Sequence, residues 1–140
     1  MILVLDDGTK SFKGTDQLPS QIMNLSTPYS FFTYFFSDDI LQSIVDQSNL
    51  YSLQLNPNKP ANITQQDLRK YLGICIYMSI VHMPRIRSYW SSNLGFAQVK
   101  EALSERKFDK IRQFLHFNDN SNILPRDNPN YDKLFNKTYY

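Results

Sequence analysis

The sequence is poor in residues that build many common sites, with one cysteine, four glycines and two histidines among 140 residues. A single cysteine excludes an internal disulfide framework and any zinc site that needs two or more thiolates. Scarce glycine argues against phosphate-binding loops and against an all-β fold built on glycine turns. No Walker loop, dinucleotide-binding fingerprint or Gly-x-Ser-x-Gly elbow occurs. We therefore expect no cofactor and no small-molecule substrate.

Long hydrophobic runs are missing too. The opening residues MILVL are apolar but follow no basic segment, so they do not form a secretory signal. Residues 72–83 are too few to cross a bilayer and have lysine and arginine on both sides. We therefore expect no membrane partner, and we expect Cys75 to be a small core residue in a reducing intracellular compartment.

Charge is distributed unevenly along the chain, although the formal net charge is only +2. Residues 1–84 carry five lysines and arginines against seven acidic residues, a balance of −2. Residues 85–140 carry ten against six, a balance of +4. The C-terminal part is therefore the part expected to face phosphates, while an ordinary solvated surface remains the alternative.

Helical periodicity dominates the rest of the sequence. Capping residues near positions 27, 37, 64 and 104 predict four helix starts, and residues 94–103 are expected to hold another short helix. Residues 65–82 are apolar on nearly every side, which is typical of a core helix. Within this segment, Gly73 is expected to mark close packing against another helix. The sequence predicts an all-α fold with about five helices packed around this central apolar helix.

Both ends of the chain are expected to lie outside the helical domain. Residues 1–25 show little periodicity and are expected to form an extended or disordered lead-in. Residues 26–135 are expected to form the domain, with a loop-rich C-terminal part that contains Pro125 and Pro129. Residues 136–140 form a divergent tail.

No constellation of catalytic residues stands out. His82 and His116 have no neighbour at metal-ligand spacing, and Asp38 and Asp39 suit the start of a helix. The acidic residues after position 118 fall in a loop. Two-metal enzymes that act on nucleic acids need carboxylates on adjacent rigid elements, and no such pair is expected here. The sequence therefore predicts neither a catalytic residue nor a metal ligand.

Basic residues after the central helix favour contact with nucleic acid. They sit in the turn that follows the helix and along the later helices, where acidic residues at 101, 105 and 109 interrupt them. A mixed-charge helix face is therefore the alternative. The candidate DNA contacts, expected to act on phosphates rather than base edges, are Arg85, Arg87, Lys107, Lys110 and Arg112.

Six aromatic residues crowd positions 29–36. A base-stacking platform would need basic neighbours, but the charges beside this segment are Asp38 and Asp39. A core element or a self-association surface is therefore the favoured interpretation.

Three segments together resemble piggyBac-type transposases and the cellular proteins derived from them. They are PYSFFTYFFSDDILQSIVDQSN at residues 28–49, GICIYMSIVHMPRIRSYW at residues 73–90, and SERKF at residues 104–108 continued by LHFND at 115–119 and DKLF at 132–135. No single segment is a catalytic signature, and their order and spacing carry the match. The matching region is similar to the helical dimerisation and DNA-binding part that precedes the family's catalytic domain.

The resemblance implies a catalytic domain of RNase H-like fold, with three aspartates and divalent metal, for cut-and-paste transposition at TTAA targets. Its first aspartate is expected beyond residue 140, and no aspartate of this chain matches a catalytic position of the family. A cysteine-rich zinc module is absent from the sequence, and residues 136–140 depart from the basic, proline-containing continuation of the family. The chain is therefore expected to be a truncated copy or a fragment that is not an enzyme by itself.

Two functional hypotheses follow from the residues and the resemblance. The first is a truncated transposase-derived domain that binds double-stranded DNA, forms a homodimer or joins the parent transposase, and lies in the nucleus. The alternative is a protein-interaction or structural remnant of a transposase that does not bind DNA.

Overall fold

The computed structural model describes residues 19–135, and this part of the chain is helical and contains no β-strand. The all-α prediction is confirmed. None of the described helices is both long and apolar enough to cross a membrane. Two short 3-10 helices cover Ile86–Trp90 and Asn120–Asn122. The α-helices are α1 (Ser20–Met23), α2 (Pro28–Phe35), α3 (Asp38–Leu55), α4 (Gln65–Ile80), α5 (Ala97–Ala102) and α6 (Glu105–Phe114).

The chain divides into two compact units, Met1–Phe35 and Phe36–Tyr140. The predicted domain of residues 26–135 spans this division. Most of the predicted lead-in, residues 1–18, lies outside the described residues, as does the predicted tail at 136–140. The described end of the lead-in contains the single helical turn α1.

The first unit includes α2, which begins at Pro28 as predicted because proline suits the first helical position. The Thr27 hydroxyl accepts a hydrogen bond from the Ser30 backbone N–H at 3.1 Å. No side chain of α2 is buried. Phe32 is half-buried, and Phe36, which follows the helix, packs against the core of the second unit. A core element and a self-association surface both stay predictions for the aromatic segment.

In the second unit, helices begin at the predicted capping residues. The Ser37 hydroxyl accepts from the Ile40 N–H at the start of α3, and the Ser104 hydroxyl accepts from the Lys107 N–H at the start of α6. Thr64 and Asp67 form a reciprocal capping box at the start of α4. Each such cap stabilises its helix by about 1 kcal/mol.

The hydrophobic core lies between α3, α4 and α6, which pack against one another, while α5 packs against α4. Its apolar side chains exclude water from the space between the helices, which is the main favourable term in folding. The most deeply buried of them are Leu41, Leu68, Val99 and Ile111.

Helix α4 is central, as predicted, but it is buried on one side only. Its buried residues are Leu68, Tyr71 and Ile74, whereas Ile76 and Ile80 are 50% and 74% exposed. A Cβ atom at Gly73 would meet nothing within 4 Å, so the expectation of close packing at this glycine is wrong. The helix also ends at Ile80, two residues before the predicted boundary at 82. The neighbouring helices leave the remaining side of α4 uncovered.

Two side chains of α3 fix the loop between α3 and α4 through hydrogen bonds. The Asn49 side chain donates to the Ile63 carbonyl and accepts from the Ile63 N–H, both at 2.8 Å. The Ser52 hydroxyl accepts from the Ala61 N–H at 2.6 Å. The loop between α3 and α4 is therefore held against α3 over its final residues.

The 3-10 helix Ile86–Trp90 is anchored by its two aromatic residues. The buried Tyr89 hydroxyl donates to the Val81 carbonyl and accepts from the Met83 N–H. The Trp90 indole N–H donates to the Leu103 carbonyl at 2.8 Å. Tyr89 is buried, and the half-buried Trp90 packs against the core. The three hydrogen bonds fix the turn that carries Arg87.

Candidate nucleic-acid interface

An open cleft of about 1060 Å³ lies along the solvent side of α6. It is lined by the loop that follows α3, by Arg87 and by residues of α6 with its cap. Its charged lining residues comprise five cations and two carboxylates, so the positive charge is in excess. We call this the basic cleft, and these residues are Lys59, Arg87, Arg106, Lys107, Lys110, Glu105 and Asp109.

The geometry of α6 places these charges on one side. Phe108 and Ile111 are buried and face the core. With 3.6 residues per turn, Arg106, Lys110 and Gln113 fall on the opposite side of the helix. The side of α6 that faces away from the core therefore carries the exposed Arg106 and Gln113 and the half-buried Lys110.

Lys107 and Lys110 connect α6 to the loop that precedes α4. The Lys107 ammonium lies 3.0 Å from the Asp67 carboxylate and donates to the Asn62 carbonyl at 3.5 Å. The Lys110 ammonium donates to the Pro60 carbonyl at 3.2 Å. Both lysines line the cleft, but part of their hydrogen-bonding capacity is already used within the protein.

Arg87 and Arg85 lie in the anchored turn after α4. The Arg87 side chain is 81% exposed, lines the cleft and has its Nε atom 3.2 Å from a Glu105 carboxylate oxygen. Arg85 is exposed at the N-cap of the 3-10 helix and does not line the cleft. The structure therefore brings only one of these two predicted contacts to the cleft.

Arg112 also lies outside the cleft lining. Its guanidinium pairs with Asp109 at 3.0 Å along the same helix. Three of the five candidate DNA contacts, Arg87, Lys107 and Lys110, thus lie together, while Arg85 and Arg112 do not join them.

Two further cations of the cleft were not among the candidate contacts. Arg106 was part of the basic pattern along α6, but its sequence neighbours did not distinguish it from Lys107. Lys59 lies in a loop far from α6 in the sequence and has no local feature that marks it. Only the packing of that loop beside α6 brings the two together.

The electrostatics of the site include one carboxylate with a shifted pKa. Partial burial of Asp67 acts to raise its pKa, but hydrogen bonds from the Thr64 backbone and hydroxyl and from Lys107 outweigh it. The net result is a lowered pKa. The hydrogen bonds therefore favour the charged form of Asp67, which pairs with Lys107.

Side chains that ligate metals do not cluster in the described part of the chain. Among residues 19–135, no three His, Cys, Asp or Glu side chains cluster so that they could hold a metal ion. The three-aspartate metal site that the resemblance implies for a catalytic domain is therefore not matched by donors in this part. Burial raises the pKa of the Cys75 thiol, which is opposite to what an activated nucleophile requires.

The two histidines lie in different surroundings within residues 19–135. The ring of His116 stacks on Tyr51 with centroids 4.2 Å apart, and its Nε2 atom lies 2.8 Å from the Asn120 side-chain oxygen. His82 is exposed beyond the end of α4. Asp38 forms an ion pair with Arg69. Within the described region, it belongs to no cluster of side chains that could hold a metal ion.

Comparison with known proteins gives a consistent family match. The model of the family described as Transposase IS4 matches residues 27–137. No solved structure matches this chain significantly.

Curated relatives agree with that match. PiggyBac transposable element-derived protein 2 of Homo sapiens is 32% identical over 121 residues, which is 85% of this chain and 20% of the relative. PiggyBac transposable element-derived protein 3 of Homo sapiens is 29% identical over 105 residues, covering 74% of this chain and 17% of the relative. PiggyBac transposable element-derived protein 5 of Homo sapiens is 30% identical over 95 residues, with coverages of 61% and 18%. The chain spans about a fifth of the length of these relatives.

Proposed function

Since this chain belongs to the Transposase IS4 family, in its piggyBac-type branch, we propose that it is a transposase-derived helical domain that contacts the phosphates of double-stranded DNA. The proposal includes a nuclear location and no catalytic activity of the chain by itself. The chain would act in DNA transposition or its regulation through binding, as a homodimer or together with a parent transposase.

The observation that supports DNA contact is the basic cleft. Arg87 follows α4, Lys107 and Lys110 lie one turn apart or less on α6, and all three line one open surface. Phosphate contacts use arginine and lysine side chains on helices and turns, and they position a protein on DNA without reading its sequence. The proposed contact is therefore with the backbone.

The existing ion pairs do not prevent such contact. Arg87 and Glu105 are both exposed, and exposed pairs contribute only about 0–1 kcal/mol. A phosphate can replace the carboxylate at little cost. Glu105 and Asp109 nevertheless remain in the lining and repel phosphates, so the proposed affinity is moderate.

The experiment is a binding titration of the purified chain with a TTAA-containing duplex and a scrambled duplex at low and moderate salt. Binding to both duplexes is expected to weaken steeply with salt, because displaced counterions drive phosphate contact and the slope of log K against log salt is about −0.9 per contact. An affinity that stays constant between the two salt concentrations would contradict DNA contact through the cleft.

A second function is favoured by the exposed apolar side of α4. Ile76 and Ile80 present their side chains to solvent on the side of α4 that the neighbouring helices leave uncovered. A protein-interaction remnant without DNA affinity would use such a surface. Recording the mass of the chain in solution during the titration separates DNA binding from protein interaction. Concentration-dependent association without DNA binding favours the protein-interaction remnant.

A further inference from the structure

We propose that the primary phosphate contacts of the basic cleft are Lys59 and Arg106. This inference rests on the proposed function and names residues that neither the sequence pattern nor the family match singled out. It also assigns a secondary role to the three predicted contacts that line the cleft.

The predicted contacts are occupied within the protein. Arg87 pairs with Glu105, and Lys107 pairs with Asp67. Lys110 donates to the Pro60 carbonyl. Arg87 and Lys107 therefore already have a carboxylate partner, and Lys110 already uses one of its three N–H donors, when a phosphate enters the cleft.

Lys59 and Arg106 differ in that respect. Within residues 19–135, no carboxylate lies within 4.0 Å of either charged group, and neither side chain makes a hydrogen bond. Both residues are exposed and line the cleft. A phosphate that enters the cleft therefore meets two cations whose only competitor is water.

The positions of Lys59 and Arg106 in the fold do not explain their charges by a structural role. Arg106 lies in the first turn of α6, where the helix dipole disfavours a cation, so it does not stabilise the helix. Lys59 precedes Pro60, whose carbonyl accepts a hydrogen bond from Lys110 of α6, and this bond holds the loop beside α6. Two cations on separately anchored elements form a surface that is ready to receive phosphates.

The test compares two double variants of the full chain in the same salt titration. Lys59→Ala with Arg106→Ala removes the proposed contacts. Lys70→Ala with Lys100→Ala removes the same charge from exposed positions outside the cleft. We expect the first variant to bind duplex DNA at least about tenfold more weakly at moderate salt, with a salt slope smaller by about 2. The second variant is expected to keep the wild-type slope.

Two controls make the outcome decisive. Far-UV circular dichroism and thermal unfolding are expected to be unchanged in both variants, because all four side chains are exposed. Lys59→Arg with Arg106→Lys keeps both charges and is expected to bind like the wild type.

Three results would count against the inference in different ways. Equal losses in the two double variants would mean that affinity depends on total charge, and an unchanged affinity in the cleft variant would mean that other cations bind the phosphate. In both cases the proposed function stands. Absence of salt-dependent binding by the wild type would remove the proposed function and this inference together.

Discussion

Single polar residues decide how the segments of the second unit are joined. The buried Ser48 hydroxyl on α3 accepts from the His116 N–H at 3.0 Å and lies 3.2 Å from the His116 carbonyl, to which it donates. Asn49 makes two such bonds to Ile63. Backbone groups that lose a partner in a buried place cost about 1–3 kcal/mol, so these small side chains help to fix the loops whose backbone they bond.

Asp67 is the residue where the sign of a pH effect can be predicted. Its pKa is lowered in the folded chain because the hydrogen bonds from Thr64 and Lys107 outweigh the effect of burial. A lowered pKa stabilises the folded state above the unfolded value of about 3.9, and this contribution is lost as the pH falls through the folded value. We expect the free energy of unfolding of wild type to exceed that of Asp67→Asn at neutral pH.

The difference in the free energy of unfolding between wild type and Asp67→Asn is expected to shrink when urea unfolding is repeated at about pH 2.5. Asp127→Asn provides the control, because Asp127 is an exposed loop residue. A gap between wild type and Asp67→Asn that is the same at both pH values would show that the carboxylate charge is not what stabilises the start of α4.

At the scale of elements, α4 has a well-capped first turn, but a glycine in its interior lowers the stability of the helix. The capping box formed by Thr64 and Asp67 fixes its first turn. Gly73 lies in the middle of the helix and is exposed. Glycine in a helix interior costs about 0.5–1 kcal/mol relative to alanine because more backbone entropy is lost on folding.

We expect Gly73→Ala to stabilise the chain by about 0.5–1 kcal/mol, because the added methyl group meets nothing within 4 Å. Chemical denaturation of the two proteins measures the change. Gly95→Ala is the matched comparison, since a Cβ there would lie 2.3 Å from the Ser91 carbonyl oxygen and 2.7 Å from the Tyr89 carbonyl oxygen. That variant is expected to lose more than about 1 kcal/mol. Destabilisation by Gly73→Ala would mean that this side of α4 is covered by a partner.

The helix starts show how much of the elements the sequence could predict. Ser37, Thr64 and Ser104 are short-range signals, since a side chain bonds a backbone group two or three residues away, and all three were correct. The end of α4 was less certain, because Pro84 forbids helix beyond it but does not fix the last turn before it. The role of Gly73 was misjudged because a single sequence does not show which side of an apolar helix is covered.

At the scale of the whole molecule, the second unit has two exposed surfaces of different chemistry. One is the basic cleft beside α6, and the other is the apolar side of α4 with Ile76 and Ile80. A charged cleft favours a polyanion, whereas an apolar helix side favours another protein. The two functions proposed above correspond to these two surfaces.

Self-association through α4 gives a prediction at this scale. Burial of one isoleucine side chain contributes about 1.5–3 kcal/mol, so Ile76→Gln with Ile80→Gln is expected to weaken association by at least about tenfold. Sedimentation velocity over a range of concentrations measures the effect. Leu94→Gln changes a side chain that is 70% exposed elsewhere in the unit and is expected to have no effect. Unaltered association in the isoleucine variant would mean that α4 is not the interface.

The sequence by itself determined the helical class, the family and most helix starts, because periodicity, capping and segment order are properties of near neighbours along the chain. It also placed the candidate DNA contacts after the central helix. The tertiary structure decided which cations share one surface. Lys59 and Arg106 line one cleft because the loop after α3 packs beside α6, whereas Arg112 lies outside the cleft lining. Charge clustering across separate elements depends on packing, and packing is a property of the folded chain.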